Sequence, residues 1–170
     1  MADWPTVVSR HGQAAWQTAY RLLGDPDEAA DCLQEVLLEA LEISRRQRVR
    51  HWSALLRHLC TYRAIDRLRR RLRRAEDHWD PAEWTGVPCN DPGPVEQAEA
   101  AELSGRLRRA IAQLPPQQAT VFCLRCIEEL SYRDIARQLG LRTSNVGVLL
   151  HRARARLREL LSSAKESPAV

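Results

Sequence analysis

Apolar residues recur at spacings of three and four along most of this chain, only seven glycines interrupt them, and alternating β-branched runs are almost absent. That period belongs to helices that each bury one stripe, so the pattern predicts an all-α fold. The first helix is expected over about 6–23, offering Val7, Val8, Trp16, Ala19, Tyr20 and Leu23 for packing, and Gly24 suits the left-handed position past its end. Asp25-Pro26-Asp27-Glu28 reads as the start of a second helix. Asp25 caps, Pro26 fits the first turn because its missing N–H is not needed there, and the acids face the positive end of the helix dipole. The stripe expected inside is Ala29, Leu33, Val36, Leu37, Ala40 and Leu41. A third helix over about 52–73 places Trp52, Leu55, Leu56, Leu59, Ile65, Leu68 and Leu72 inward and its arginines outward.

The periodicity stops at 75–94, where Pro81, Gly86, Pro88, Pro92, Gly93 and Pro94 fall among acidic residues and no basic ones. Such a stretch is expected to be a flexible acidic linker, and as a coil of 20 residues its ends would average roughly 25 Å apart. Trp79 and Trp84 lie inside it. It separates two small helical domains, 1–74 and 95–162, with a polar tail at 163–170. In the second, Leu103, Leu107, Ile111 and Leu114 run up to Pro115-Pro116, and helices are expected over about 117–129, 132–139 and 144–162.

Charge alternates in blocks along the same divisions. Residues 1–44 carry a net −6, 45–74 a net +11, 75–104 a net −8 and 105–170 a net +7, although the whole chain is only +4. Two separated basic surfaces point to two contacts with a polyanion, because neutralised phosphates release condensed counterions. No run approaches the roughly 18 apolar residues of a membrane span. The start Met1-Ala2-Asp3-Trp4-Pro5 lacks the order of a secretory signal, so a cytoplasmic protein is expected. Five cysteines, at 32, 60, 89, 123 and 126, are odd in number and unevenly spaced, which argues for reduced thiols rather than a disulfide framework.

Ser131-Tyr132-Arg133-Asp134 has the form of a helix cap with an acidic residue three positions on, so a short helix should begin there and end at Gly140. After the Leu141-Arg142 turn, Thr143 or Ser144 is placed to cap the next helix. Ala136, Gly140 and Val146 then have the spacing of a helix-turn-helix: a small residue for close approach, glycine for the turn and a branched anchor in the second helix. On a 3.6-residue wheel Val146, Leu150, Ala153 and Leu157 face inward, and Ser144, Val148, His151, Arg152, Ala155 and Arg158 face outward. The first turns of a recognition helix enter the major groove. Ser144, Asn145, Val148, His151 and Arg152 are therefore candidates for base edges, and Arg142 and Arg154 for phosphates. His151 reads equally well as a solvated histidine.

Three segments of the second half, Leu114-Pro115-Pro116-Gln117-Gln118, Glu129–Ala136 and His151–Arg158, resemble region 4 of bacterial sigma factors. Gly24–Asp31 with Leu33-Gln34-Glu35-Val36 is similar to region 2.2, and Ala64–Arg70 to region 2.4, of the short extracytoplasmic-function group of the sigma-70 family. The resemblance implies a subunit that docks on core RNA polymerase, at the β′ clamp helices and the β flap, and directs it to promoter DNA. Asp31, Gln34 and Glu35 match the docking positions. Tyr62, Arg63, Asp66, Arg67, Arg70 and Arg71 become candidates for the single-stranded minus-10 element. Arg142, Thr143, Ser144, Asn145, Val148, His151, Arg152 and Arg154 become candidates for the minus-35 duplex. The linker resembles a segment that threads polymerase channels, and reads equally as a self-repelling tether. Control is expected outside the chain, in an anti-sigma factor or in expression.

The chain departs from the family pattern at two places. Thr61-Tyr62 stands where the family has an Arg-Asn pair, and Gly147-Val148-Leu149 stands where the recognition helix usually carries basic and hydroxyl residues, so readout leans on Ser144, Asn145, Arg152, a thymine methyl at Val148 or DNA shape. Cys123-x-x-Cys126 has a spacing found in zinc and redox sites, but it lies in a helix without a second ligand pair, and core packing is the expected role. With no Ser/His/Asp set, phosphate-binding glycine loop or paired carboxylates, neither an enzyme site nor a metal or cofactor is expected. The rival readings are a free-standing dimeric helix-turn-helix regulator, which leaves 25–74 without a role, and a thiol redox enzyme resting on Cys123 and Cys126 alone.

Overall fold

The computed structural model describes residues 3–77 and 94–163, which form seven helices: α1 (Trp4–Leu23), α2 (Pro26–Arg46), α3 (Trp52–Asp77), α4 (Pro94–Gln113), α5 (Pro116–Cys126), α6 (Tyr132–Leu139) and α7 (Thr143–Ser163). Local chemistry sets most of the boundaries. Gly24 takes the left-handed conformation (φ 74°) and returns its N–H to the Tyr20 carbonyl at 2.8 Å, and the Asp25 side chain accepts the Glu28 N–H at 2.8 Å. The Ser131 hydroxyl accepts the Asp134 N–H at 3.2 Å and donates to the Asp134 carboxylate at 2.6 Å, closing the cap foreseen for α6. Gly140 ends that helix at φ 65°.

Other boundaries differ from expectation. α3 continues through Asp77 and α4 opens at Pro94, so both described ends of the 75–94 stretch are helical. Trp79, Trp84 and Cys89 lie outside the described residues. α7 begins with Thr143 itself, and the Arg142 carbonyl accepts the Val146 N–H at 3.1 Å, which places Arg142, rather than Thr143 or Ser144, at the capping position.

α1 and α2 pack on α3 around Ala15, Leu22, Ala29, Val36, Leu56, Ile65 and Leu68, all at 2% exposure or less. The small residues Ala15, Ala29 and Cys32 bring these helices close, and the buried stripe of α2 centres on Ala29, Cys32, Val36 and Ala40, with Leu33, Leu37 and Leu41 at its edges. The same apolar cluster continues without a break into the second half, through Ala110, Ile111, Leu114, Ala119, Cys123, Ala153 and Leu157. A smaller cluster of Val121, Leu124, Ile135, Ala136, Val146 and Leu150 holds the helix-turn-helix together. Leu103, expected to pack, is 59% exposed at the middle of α4.

The two halves therefore meet across a packed seam, and several polar contacts cross it. Arg108, 5% exposed, donates from Nε to the Leu22 carbonyl at the end of α1 at 2.8 Å. Arg69 of α3 donates to the Leu114 carbonyl at 2.8 Å and the Ala112 carbonyl at 3.4 Å, and Gln138 of α6 donates to the Ala54 carbonyl at 2.6 Å. Glu128, whose side chain is 3% exposed, lies between Arg21 (3.5 Å) and Arg57 (3.9 Å). Its Oε1 makes no hydrogen bond, so that contact is ionic attraction without hydrogen-bond geometry.

Because the large cluster crosses the seam, Ile111→Ala should cost about 2–5 kcal/mol and lower the melting of both halves together. Trp4, Trp16 and Trp52 lie in the first half and no tryptophan follows position 84, so the emission change reports no helix of the second half, while far-ultraviolet circular dichroism follows every helix. The two transitions should shift equally. A tryptophan transition that stays in place while the dichroism shifts would show that the halves unfold separately.

Candidate nucleic-acid interface

The helix-turn-helix presents one open face. Val146, Leu150, Ala153 and Leu157 are buried as the wheel requires, which leaves Arg142, Thr143, Ser144, Asn145, Val148, His151, Arg152 and Arg154 exposed to solvent. Val148 is 49% exposed, a methyl pair available to a thymine methyl in a major groove. Gly147 lies under the Tyr132 ring, where an added Cβ would meet the ring edge at 3.7 Å, so this position supports α6 and does not reach toward DNA. Arg154 Nη2 lies 3.9 Å from the Cys126 sulfur, at the edge of the face.

On α3 the expected minus-10 residues divide. Tyr62 is 54% exposed and free to stack, while its neighbour Thr61 is fully buried with its hydroxyl unpartnered, so only one of the pair replacing the family's Arg-Asn can meet a base. Asp66 and Arg70 pair with each other at 2.7 Å. The expectation that the α3 arginines simply point outward fails for several of them. Arg63 is held by Glu39 (2.7 Å), Arg67 by Glu35 (2.9 Å), and Arg71 by Glu28 (2.5 Å) and the Leu23 carbonyl (3.2 Å). The hydrogen bond from Glu39 raises the Arg63 pKa above its ordinary value. Arg73 and Arg74, past this set, are exposed.

Asp31, Gln34 and Glu35 lie on the solvent side of α2, as expected. The structure adds Leu38, 66% exposed and three or four residues on from Glu35 and Gln34, which completes a stripe of mixed chemistry one turn wider than the sequence reading. Its signal was an apolar residue on an otherwise polar face. The α2–α3 turn adds another feature: Arg45, Arg46, Gln47, Arg48 and Trp52 line a cavity of about 620 Å³, cationic and carrying one aromatic wall. These arginines belong to the +11 block but had been given no role.

No cluster of three or more His, Cys, Asp or Glu able to hold a metal occurs among the described residues. Cys123 is buried, and burial pushes its thiol pKa well up, whereas Cys126 is exposed and fills no core, contrary to expectation. Cys32 and Cys60 are buried between α2 and α3. In the native protein a maleimide should label Cys126 rapidly and leave Cys32, Cys60 and Cys123 unlabelled until denaturant is added, since the thiolate is the nucleophile. Peptide mass spectrometry after timed labelling checks this, and fast native labelling of Cys123 would contradict its burial.

A helix-turn-helix with an open basic face, packed against a three-helix unit bearing a second basic helix, is an architecture suited to binding DNA. Comparison with known proteins narrows that class. Residues 7–74 match the family described as Sigma-70 region 2, and residues 104–157 match Sigma-70, region 4. The chain is 30% identical over 162 residues to the ECF RNA polymerase sigma factor SigE of Mycolicibacterium smegmatis, covering 95% of this chain and 63% of that protein's length. It is 29% identical over 165 residues to the ECF RNA polymerase sigma factor SigW of Bacillus subtilis, covering 91% and 87%. The fold matches that of the sigma factor RpoE from Bartonella quintana, solved in complex with the anti-sigma factor NepR, with a TM-score of 0.58 at 22% identity over 95% of this chain and 98% of that one. The chain belongs to the sigma-70 family, in its extracytoplasmic-function group. The dimeric-regulator reading has no counterpart in these matches, which place residues 7–74 as well as the helix-turn-helix in one family. No helix among the described residues is long and apolar enough to cross a membrane.

Proposed function

We propose that this chain is a non-catalytic, cytoplasmic promoter-recognition subunit that brings core RNA polymerase to a set of promoters. α2 docks through Asp31, Gln34, Glu35 and Leu38 on the β′ clamp helices, while the second half engages the β flap. Tyr62, Asp66, Arg70 and the arginines beside them take the single-stranded minus-10 element. Arg142 to Asn145, Val148, His151, Arg152 and Arg154 read the minus-35 element as duplex. Regulation by an anti-sigma protein, as in the complex of the structural neighbour, belongs to the same reading. The observation that carries it is the α2 stripe: Leu38 stands 66% exposed beside the exposed Asp31, Gln34 and Glu35, an apolar side chain on a polar face that a free-standing DNA-binding protein would not need.

Size adds a condition. Elements centred at minus 35 and minus 10 lie about 25 base pairs, or about 85 Å, apart at 3.4 Å per step. A packed chain of this length has a radius of gyration of about 15 Å and measures only about 40 Å across. The closed arrangement therefore cannot touch both elements at once, and the seam of Arg69, Arg108, Glu128 and Gln138 must part when both are read. That parting exposes Ile111 and Leu114, so it needs a partner to cover them.

The direct test combines the purified chain with core polymerase and maps transcript 5′ ends on genomic DNA, where start sites sharing two upstream elements are expected. Gln34→Ala with Leu38→Ala should leave the melting temperature nearly unchanged, because both side chains are solvated, and weaken binding to core polymerase about tenfold, or about 1.4 kcal/mol. Equal affinity would remove α2 from the docking surface. Arg152→Ala should cost about 1–3 kcal/mol in initiation, with the loss concentrated on promoters altered at the minus-35 element. A uniform loss across all promoters would make Arg152 a phosphate contact.

A further inference from the structure

Three carboxylates of α2 lie against three guanidinium groups of α3 in antiparallel register: Glu28 with Arg71, Glu35 with Arg67, and Glu39 with Arg63. Steps of seven and four along one helix meet steps of four and four along the other, so the pairs form a ladder along one edge of the α2–α3 contact. Arg63 spends both Nε (3.0 Å) and Nη2 (2.7 Å) on a single Glu39 oxygen. Arg67 gives Nη2 to Glu35, while its Nε is buried without a hydrogen-bond partner. The carboxylate side of that rung is open, since the Glu35 side chain is 52% exposed against 20% for Arg67.

A guanidinium fork fits carboxylate and phosphate oxygens equally well in geometry, so a side chain already paired to Glu offers less to a nucleic-acid backbone. The exposed rungs are cheap to break, because ion pairs at a solvated surface contribute little net stability. We propose that Glu35 and Glu39 act as internal counter-ions that compete with nucleic-acid phosphate for Arg67 and Arg63, and so set how tightly α3 takes a single strand. This rests on the reading of α3 as the nucleic-acid helix. Glu35 also belongs to the stripe proposed to dock polymerase. A cationic partner that draws Glu35 away releases Arg67 to a strand, and by linkage a strand that takes Arg67 releases Glu35.

The test uses the full chain without polymerase and a labelled single-stranded oligonucleotide of about 12 nucleotides, with affinity followed by fluorescence anisotropy over a range of salt. The wild type is compared with Glu35→Gln/Glu39→Gln and with Asp27→Asn/Glu42→Gln. The latter pair removes the same charge from exposed positions of the same helix that form no ion pair among the described residues. Each phosphate newly neutralised on a single strand steepens the plot of log K against log salt by about 0.7. Freeing two arginines should steepen the slope by about 1.4 and tighten binding about tenfold at low salt, while the control leaves the slope unchanged and tightens binding at most about twofold. Equal slopes in all three proteins, the same change in both variants, or no strand binding by any of them overturns the proposal. Glu35→Gln alone should steepen the slope by about 0.7 and provides the same reading if the double variant does not fold. Because no polymerase is present, loss of the function reading through failure to bind core polymerase leaves this comparison standing, whereas unchanged slopes in a chain that binds polymerase remove the ladder alone.

Discussion

α3 carries eight arginines in 26 residues and also supplies the buried stripe on which the other helices pack. So many like charges on one helix repel one another, and the helix is stable in this place only because neighbouring elements bring counter-charges and carbonyl groups to it. Arg63, Arg67 and Arg71 take carboxylates from α2; Arg69 takes the carbonyls at the end of α4; Arg57 shares Glu128 with Arg21. The basic block thus fastens both halves of the molecule to one helix. Leu56, Ile65 and Leu68 on its other side supply the apolar burial that makes the fastening worthwhile.

The same use of guanidinium groups explains the function. Arginines paired with α2 carboxylates or seam carbonyls offer less to phosphate, and the more exposed ones, Arg70, Arg73 and Arg74 on α3 and Arg142, Arg152 and Arg154 at the start of and along α7, are the first candidates for nucleic-acid contact. Arg70 is the intermediate case, paired only with Asp66 one turn earlier on the same exposed surface. An isolated chain with few free cations on α3 and a short apolar-poor reading face on α7 has little from which to build specificity alone, which is consistent with the proposed docking on polymerase through the stripe that contains the exposed Leu38.

How much of this was legible in the sequence depends on range. Caps and turns are local, so Gly24, Asp25, Ser131 and Gly140 announced the helix ends that the structure shows, and the stripe Val146, Leu150, Ala153 and Leu157 followed from the helical period alone. Contacts between distant segments were not legible. Arg108 has the same letter as any solvated arginine, and only the packed seam reveals that it is buried against the end of α1. The pairing of Glu35 with Arg67 joined two candidates that had been given to different partners, because register between helices is invisible until one knows that they pack. Leu103 and Cys126 misled for a related reason: helical spacing says which residues share a face, and not whether another element covers it.

The central claim is that the chain reads promoters only as a part of a larger machine. Footprinting on duplex DNA carrying a start site mapped with the reconstituted enzyme tests it most directly. The chain alone should give weak protection that fades steeply with salt, and addition of core polymerase should produce strong protection over both upstream elements. A sharp, two-fold symmetric footprint from the chain without polymerase would contradict the account.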